Sequence, residues 1–265
     1  MARVAKQTDE QSVGVEPIQE GHITFFLLGE TPLIMHRKSL SLAKELILPA
    51  AKKNRAEKES TLKHDMEAEF RDALYLNRDT KEPARLHLPA GMFSKSLANA
   101  ALDNKGAKKA QLFRLTSVVT PNINCFGIPY MFLRAGVLGG MNKSPDIHGR
   151  AILPEWACSV TYSYVRNLIT ETSIINLLAA AGHMIGIGDW RVEKGGTSGR
   201  FKLVSSEDAT WQRITKTQGR MAQQKAIANI SASGDDDESA ELLAWYRKEV
   251  VKREKSHLLR AKFAA

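Results

Sequence analysis

The stretch GIGDWRVEKGGTSGR, residues 186–200, is the most informative segment of this 265-residue chain. Its five glycines are Gly186, Gly188, Gly195, Gly196 and Gly199. Because glycine lacks a Cβ, such a loop can adopt positive φ angles and bring its backbone close to a ligand. Exposed backbone N–H groups in a loop of this kind can hold anionic oxygens. The loop is neither a Walker loop, since Gly-Lys-Ser/Thr is missing, nor a dinucleotide fingerprint, since it follows a predicted helix instead of opening one.

The side chains of this loop favour a nucleic-acid ligand. Its cationic residues, with the strand that follows, are Arg191, Lys194, Arg200 and Lys202. Glu193 is the only acid among them, and Trp190 offers a flat ring on which a base can stack, worth about 1–3 kcal/mol per base. We therefore predict that these residues contact a strand. The alternative that the sequence leaves open is a flexible hairpin with Trp190 packed on the core.

The segments around the loop predict an α+β fold. The predicted elements are a strand at 22–29, a helix that begins at Pro89, a hairpin at 117–140, a strand at 156–165, a helix that begins after Thr170 and ends near Ile185, and a strand at 201–204. Thr170 suits the N-cap of the second helix. This order is that of a ferredoxin-like or RRM-like βαββαβ core. In such domains the open sheet face is a platform for single-stranded RNA.

The remaining segments predict extensions around that core. Residues 1–19 are polar without a period, so we expect a mobile N-terminal tail. The ferredoxin-like domain is predicted at 20–205, with a helical insertion at about 39–76, where apolar residues recur at helical spacing among many charges. Residues 206–265 predict a helical C-terminal extension, with a first helix at 211–230.

Composition points to an anionic partner. The formal net charge is +9 and the isoelectric point is about 9.5, which favours nucleic acid, although an ordinary basic soluble protein would also fit. No run approaches the ~20 apolar residues of a membrane span. The two cysteines fit neither a zinc spacing nor a disulfide framework. We therefore expect no membrane association, no metal, no cofactor and a reducing cytoplasm.

A second basic segment lies between residues 105 and 150. Its bases are Lys105, Lys108, Lys109, Arg114, Arg134, Lys143 and Arg150. Asp146 is the only acid there, and Tyr130 and Phe132 are interleaved with the bases. Basic charge with aromatic side chains is typical of a groove that follows a single strand, so we predict binding there as well. A solvated basic face is the alternative.

The glycine-rich loop between the second core helix and the last strand resembles the signature of the RAMP (repeat-associated mysterious protein) superfamily. The Thr31–Arg37 stretch and the Leu88-Pro-Ala entry are also similar to uncharacterised phage-encoded proteins. The resemblance covers about residues 22–204. It implies a ferredoxin-like, RNA-binding subunit of CRISPR effector complexes that polymerises along a strand, with Arg191, Lys194 and Arg200 near the backbone. The helical insertion and the C-terminal extension depart from the family pattern.

The resemblance also raises the question of catalysis, since some RAMP relatives cleave RNA with a histidine as general base. His183 and His36 are the only candidates, and His183 is equally explained as a helix-end histidine that interacts with the helix dipole. We therefore favour a non-enzymatic subunit that binds a single strand, RNA rather than DNA, as a homo-oligomer or within a ribonucleoprotein complex. The alternatives are a metal-independent endoribonuclease on the same fold and a phage protein that anneals single-stranded DNA.

Overall fold

The computed structural model describes residues 16–37, 62, 64–104, 106–137 and 145–264. Its strands are β1 (Glu20–Gly29), β2 (Leu33–Met35), β3 (Leu86–Pro89), β4 (Thr116–Val118), β5 (Asn122–Phe126), β6 (Tyr130–Val137), β7 (Pro145–Leu153), β8 (Ala157–Val165) and β9 (Phe201–Val204). Its α-helices are α1 (Met66–Ala73), α2 (Ala90–Ala100), α3 (Lys109–Leu115), α4 (Glu171–Ala180), α5 (Ala209–Thr217), α6 (Arg220–Ala228) and α7 (Asp237–Ala264). The predicted α+β class is confirmed.

The larger sheet places its strands in the order β3–β5–β8–β1–β9, and β4 also pairs with β8. All of these pairings are antiparallel. Side chains alternate between the two faces of a strand, and Phe25 and Leu27 of β1 share one face with Val160 and Tyr162 of β8. These buried side chains form one core with residues of α2 and α4.

Local signals explain where the two core helices begin. Pro89 is the N-cap of α2, and Phe93 and Leu97 of that helix are fully buried. Thr170 is the N-cap of α4, as predicted, and its hydroxyl accepts from the Ser173 N–H at 3.2 Å. A short π-helix at Ala181–Ile185 continues α4 directly into the glycine-rich loop.

The hairpin predicted at 117–140 is wrong. β4 and β5 join the larger sheet, whereas β6 belongs to a second sheet with the order β2–β7–β6. The chain changes sheets after Gly127, whose φ is +144° and where a Cβ would lie 2.5 Å from the Glu155 carbonyl oxygen. The partner of β6 is β7, a strand for which the sequence analysis made no prediction.

Two predicted extensions fall largely outside the described residues. Residues 1–15 of the expected N-terminal tail and residues 39–61 and 63 of the expected insertion are not described; residues 16–19 are exposed and have no regular structure. The described end of the insertion contains α1, which packs against β7. Across the described part of the chain, no helix is both long and apolar enough to cross a membrane.

The first two helices of the C-terminal extension pack on the larger sheet, whereas α7 packs on β6 of the second sheet. The helix predicted at 211–230 is interrupted near Gly219, which gives α5 and α6. Ile214 of α5 packs on Leu28 and Ala157, on the sheet face opposite α2 and α4. Gln223 of α6 is fully buried, with its side-chain oxygen accepting from the backbone N–H of Arg85 at 2.7 Å and its amide donating to the Cys125 carbonyl oxygen at 2.8 Å.

Candidate nucleic-acid interface

The glycine-rich loop is folded tightly on itself and on β2. The Ile187 N–H donates to the Gly199 carbonyl oxygen at 2.9 Å, and the Asp189 N–H donates to the Ile34 carbonyl oxygen at 3.0 Å. A Cβ at Gly196 would lie 1.7 Å from the Trp190 carbonyl oxygen. The close approach that this glycine permits is therefore between the two arms of the loop. The loop is held in one shape before any ligand arrives, which lowers the entropic cost of binding.

The four predicted cations of the loop differ in whether another side chain of the protein already contacts them. Arg191 is paired with Glu193, with its Nη2 2.7 Å from a carboxylate oxygen. Arg200 contacts the ring of His183, with its Nη2 3.1 Å from the imidazole Nε2, and its Nε is buried without a partner among the described residues. Lys194 and Lys202 are exposed and form no ion pair with a described residue. The cationic groups free to meet phosphates are thus Lys194, Lys202 and, in part, Arg200.

Trp190 combines exposure with an unusual backbone. Its side chain is 44% exposed, and the edge of its ring meets Phe132, with 6.1 Å between the ring centroids. Its φ is +50°, a region in which a bulky residue is rare and strained. Such outliers concentrate at functional sites, where the surrounding structure holds them in place. The indole is therefore only partly packed, and an exposed part remains for stacking.

Arg150 and His36 converge on Asp189 at the start of the loop. An Arg150 Nη1 lies 2.6 Å from an Asp189 carboxylate oxygen, and His36 Nδ1 lies 3.4 Å from the same oxygen. Hydrogen bonding from His36 and then the charge of Arg150 hold the pKa of Asp189 below its ordinary value, against the opposing effect of burial. A depressed carboxyl pKa means that this stabilisation is present at neutral pH and is lost only as the pH falls through the lowered value. Arg150 thus anchors the loop to β7.

The other predicted bases of the 105–150 segment that the structure describes lie in two different settings. Arg134 pairs with Asp236 at 3.5 Å and with Glu238, and it sits over the Phe132 ring, 5.4 Å from its centroid. The bases that are exposed at α3 without an ion pair to a described residue are Lys108, Lys109 and Arg114; we call them the α3 patch. Lys105 and Lys143 lie outside the described residues.

A cleft of about 350 Å³ opens between α2 and the start of the loop. Met92 and Lys95 of α2 line it from one side, and Ile187 and Arg191 line it from the other. Ser96 donates from its hydroxyl to the Gly186 carbonyl oxygen at 3.1 Å, which holds the loop against the helix. We call this space the α2–loop cleft.

Sequence reasoning missed the α2–loop cleft and the acids that engage Arg134 and Arg150. Lys95 and Asn99 are spaced i and i+4 on α2, a signal that could have placed two polar residues side by side. Glu238 and Asp236 are distant in sequence from Arg134, so no local pattern could reveal those pairs.

The two histidine candidates lie in different parts of the structure. His183 sits in the π-helix and contacts Arg200, whereas His36 follows β2 and contacts Asp189. Within the described ranges, no group of three or more His, Cys, Asp or Glu side chains could hold a metal ion.

Comparisons with known proteins leave the family of the chain unassigned. No protein-family model matches the chain, and no curated protein matches it in sequence. Among solved structures, it is similar to the crystal structure of Cmr6 from Pyrococcus furiosus, with 10% identity and a TM-score of 0.35, over 71% of this chain and 100% of that one. A similarity of this size carries no argument about fold or function.

Proposed function

We propose that this protein is a non-enzymatic subunit that binds single-stranded nucleic acid, RNA in preference to DNA, and that it oligomerises along the strand. The observation that carries the proposal is the partly exposed Trp190 on a rigid loop that also bears Lys194 and Arg200. An aromatic surface beside cations that form no ion pair with a described residue suits sequence-tolerant binding of a single strand. The net charge of +9 adds long-range attraction for a polyanion.

The fold contributes a second line of support. Residues 20–205 are proposed to form a ferredoxin-like, RAMP-type domain, and residues 206–265 its helical extension. In the larger sheet the last strand of that domain, β9, lies next to the first, β1, which pairs with β8, which in turn pairs with β4 and β5. The two connecting helices, α2 and α4, share one core with the sheet. This order is the one expected of a βαββαβ core.

The test compares two triple variants with equal loss of charge. Lys194, Arg200 and Lys202 are changed together to Ala, and Lys248, Lys252 and Lys255 of α7 serve as the matched control. The affinity for a labelled single-stranded RNA is measured by fluorescence anisotropy over a range of salt concentrations. Each lost phosphate contact lowers the log–log salt slope by about 0.7, so the loop variant should lose about 2 units and the control much less. Equal losses in both variants would show that net charge alone matters, and a flat salt dependence of the wild type would contradict the proposal.

Oligomerisation is the part of the proposal that rests on the family resemblance. We expect particles of increasing mass as the RNA is lengthened, measured at saturating protein. A single bound copy on long strands would contradict this part and leave strand binding intact.

An endoribonuclease activity is the second candidate. The observation in its favour is the contact of the exposed His183 with Arg200, which places an imidazole beside a cation that could hold a phosphate. Incubation of the protein with labelled RNA and a chelator should reveal cleavage that His183→Ala abolishes, if this candidate is correct. RNA that stays intact would reject it.

A further inference from the structure

We propose that the α2–loop cleft receives one base of the bound strand and prefers bases that carry an exocyclic amino group. This inference rests on the proposed function, which it makes specific. The cleft volume of about 350 Å³ is near the lower end of the range for small-molecule sites. Met92 and Ile187 give it apolar walls, and the ring of Tyr75 lies at its edge. Apolar and aromatic surfaces of this kind suit a planar base.

The preference comes from Asn99, which lines the cleft and is 8% exposed. Its Nδ2 donates to a Glu193 carboxylate oxygen at 2.6 Å. Because a carboxylate only accepts, this contact fixes which end of the amide is nitrogen and which is oxygen. The remaining Oδ1 is buried and has no partner among the described residues.

An unpaired acceptor in the wall of a cleft selects a ligand that brings a donor. Adenine, cytosine and guanine carry exocyclic amino groups, whereas uracil and thymine present only a ring N–H flanked by carbonyl oxygens. Because Oδ1 is buried, Asn99 turns toward the cleft on binding to meet such a donor. Adenine, cytosine and guanine are therefore the favoured bases, and uracil is the disfavoured one.

Lys95 supplies a contact for the phosphate attached to that base. It lies one helical turn before Asn99 on α2, so the two side chains share a face. It is exposed, lines the cleft and forms no ion pair with a described residue. The cleft thus combines an apolar slot, one acceptor and one free cation, which matches a single nucleotide.

Gly91 provides a way to close the cleft without disturbing the protein. It lies in the first turn of α2 and lines the cleft, and a Cβ added there meets no atom within 4 Å. Gly91→Phe should therefore fill the mouth of the cleft while the fold persists. Gly91→Ala controls for the change in helix propensity, and Gly234→Phe, at another glycine with open space, controls for adding an exposed ring.

The experiment measures the affinity of labelled oligo(A), oligo(C) and oligo(U) of equal length at one salt concentration. We expect the wild type to bind oligo(A) and oligo(C) about fivefold tighter than oligo(U), the effect of roughly one added hydrogen bond. Gly91→Phe should lower the affinities for oligo(A) and oligo(C) to that for oligo(U), and it should leave the affinity for oligo(U) unchanged. Gly91→Ala and Gly234→Phe should bind all three strands as the wild type does.

Three results separate this inference from the proposed function. If the wild type binds all three strands equally, or if Gly91→Phe weakens them equally, the cleft assignment is overturned while strand binding stands. If no strand binds, the proposed function is wrong. In that case a thermal shift with adenosine monophosphate but not uridine monophosphate would still support the cleft, and no shift with either would overturn it.

Discussion

The glycine-rich loop and the α3 patch are both basic and both carry an exposed aromatic side chain, but they differ in how the protein uses their charges. In the loop, Arg191 is engaged by Glu193 and Arg200 by His183. In the α3 patch the three bases are exposed and unpaired with any described residue. Trp190 is 44% exposed in the loop, and Phe113 is 46% exposed at α3. The number of bases in a segment therefore does not give the number of positive charges that are available to a ligand.

The two regions also lie far apart. The α3 patch adjoins the start of α4, because Lys108 lines a groove together with Thr170 and Ser173. The loop follows the other end, after ten residues of α4 and five of π-helix. At ~1.5 Å per residue, this separates the two regions by about 20 Å. A short strand can therefore contact only one of them.

The largest effect expected concerns the rigidity of the loop. Gly199→Ala should lower the free energy of unfolding by about 3 kcal/mol, because φ is +74° and a Cβ would lie 1.8 Å from the Ile187 carbonyl oxygen. Gly195→Ala is the control: its φ is +77°, but a Cβ meets no atom within 4 Å, so about 1 kcal/mol is expected. Denaturant unfolding measures both. Equal losses would mean that the loop is looser than described.

The next effect separates the two exposed aromatic side chains. Trp190→Ala should weaken the binding of a short single strand about 5- to 150-fold, as the loss of one stacked base predicts. Phe113→Ala should change this affinity by no more than about twofold, because a short strand bound at the loop cannot also reach the α3 patch. Fluorescence anisotropy measures both affinities. A larger loss for Phe113→Ala would assign primary binding to α3.

A third prediction uses strand length. Changing Lys108, Lys109 and Arg114 together to Ala should not alter the salt slope for a strand too short to span both regions. With a longer strand, the slope should fall by about 2 units, since three contacts are lost at about 0.7 each. Salt titrations with two strand lengths measure this. No change at either length would show that the α3 patch does not contact the strand.

The smallest effect tests the engaged arginine. Glu193→Gln removes the acid that neutralises Arg191 while keeping an oxygen that can accept from Asn99. We expect the magnitude of the log–log salt slope to rise by about 0.7, because one more cation becomes available to a phosphate. Arg191→Gln should change this slope by less. If Glu193→Gln lowers the affinity, the main role of Glu193 is to hold the loop in place.

The sequence allowed the α+β class, β1, β8, β9 and the two core helices to be predicted, because the strands and helices each follow from local apolar patterns, and α4 also has a capping residue. Thr170, for example, indicates the start of α4 because its hydroxyl caps the helix. The second sheet could not be predicted in the same way, because the pairing of β6 with β7 is a contact between segments and not a property of either one. The glycines marked the loop, but only the fold shows that Gly196 and Gly199 are required by neighbouring backbone atoms.

The candidate site shows the same division. The bases of the loop were found from composition, and Lys194 and Lys202 remain exposed. The engagement of Arg134 by Asp236, and of Arg150 by Asp189, depends on tertiary structure that joins distant segments. Asn99 was not a candidate because its significance lies in an unpaired atom, which no sequence pattern reports.

Gln223 joins α6 to the edge of the larger sheet. Its oxygen accepts from the N–H groups of Arg85 and Leu86, and its amide donates to the carbonyl oxygens of Cys125 and Gly127, so one side chain completes the hydrogen bonding of four backbone groups. Removal of residues 206–265 would expose these four groups beside β3, whose other edge is already covered by the bridge between Leu76 and Leu86. Four hydrogen bonds of the buried Gln223 side chain would be lost, so we expect a shortened chain to be less stable. Expression of the intact chain is accordingly the sound basis for every binding measurement.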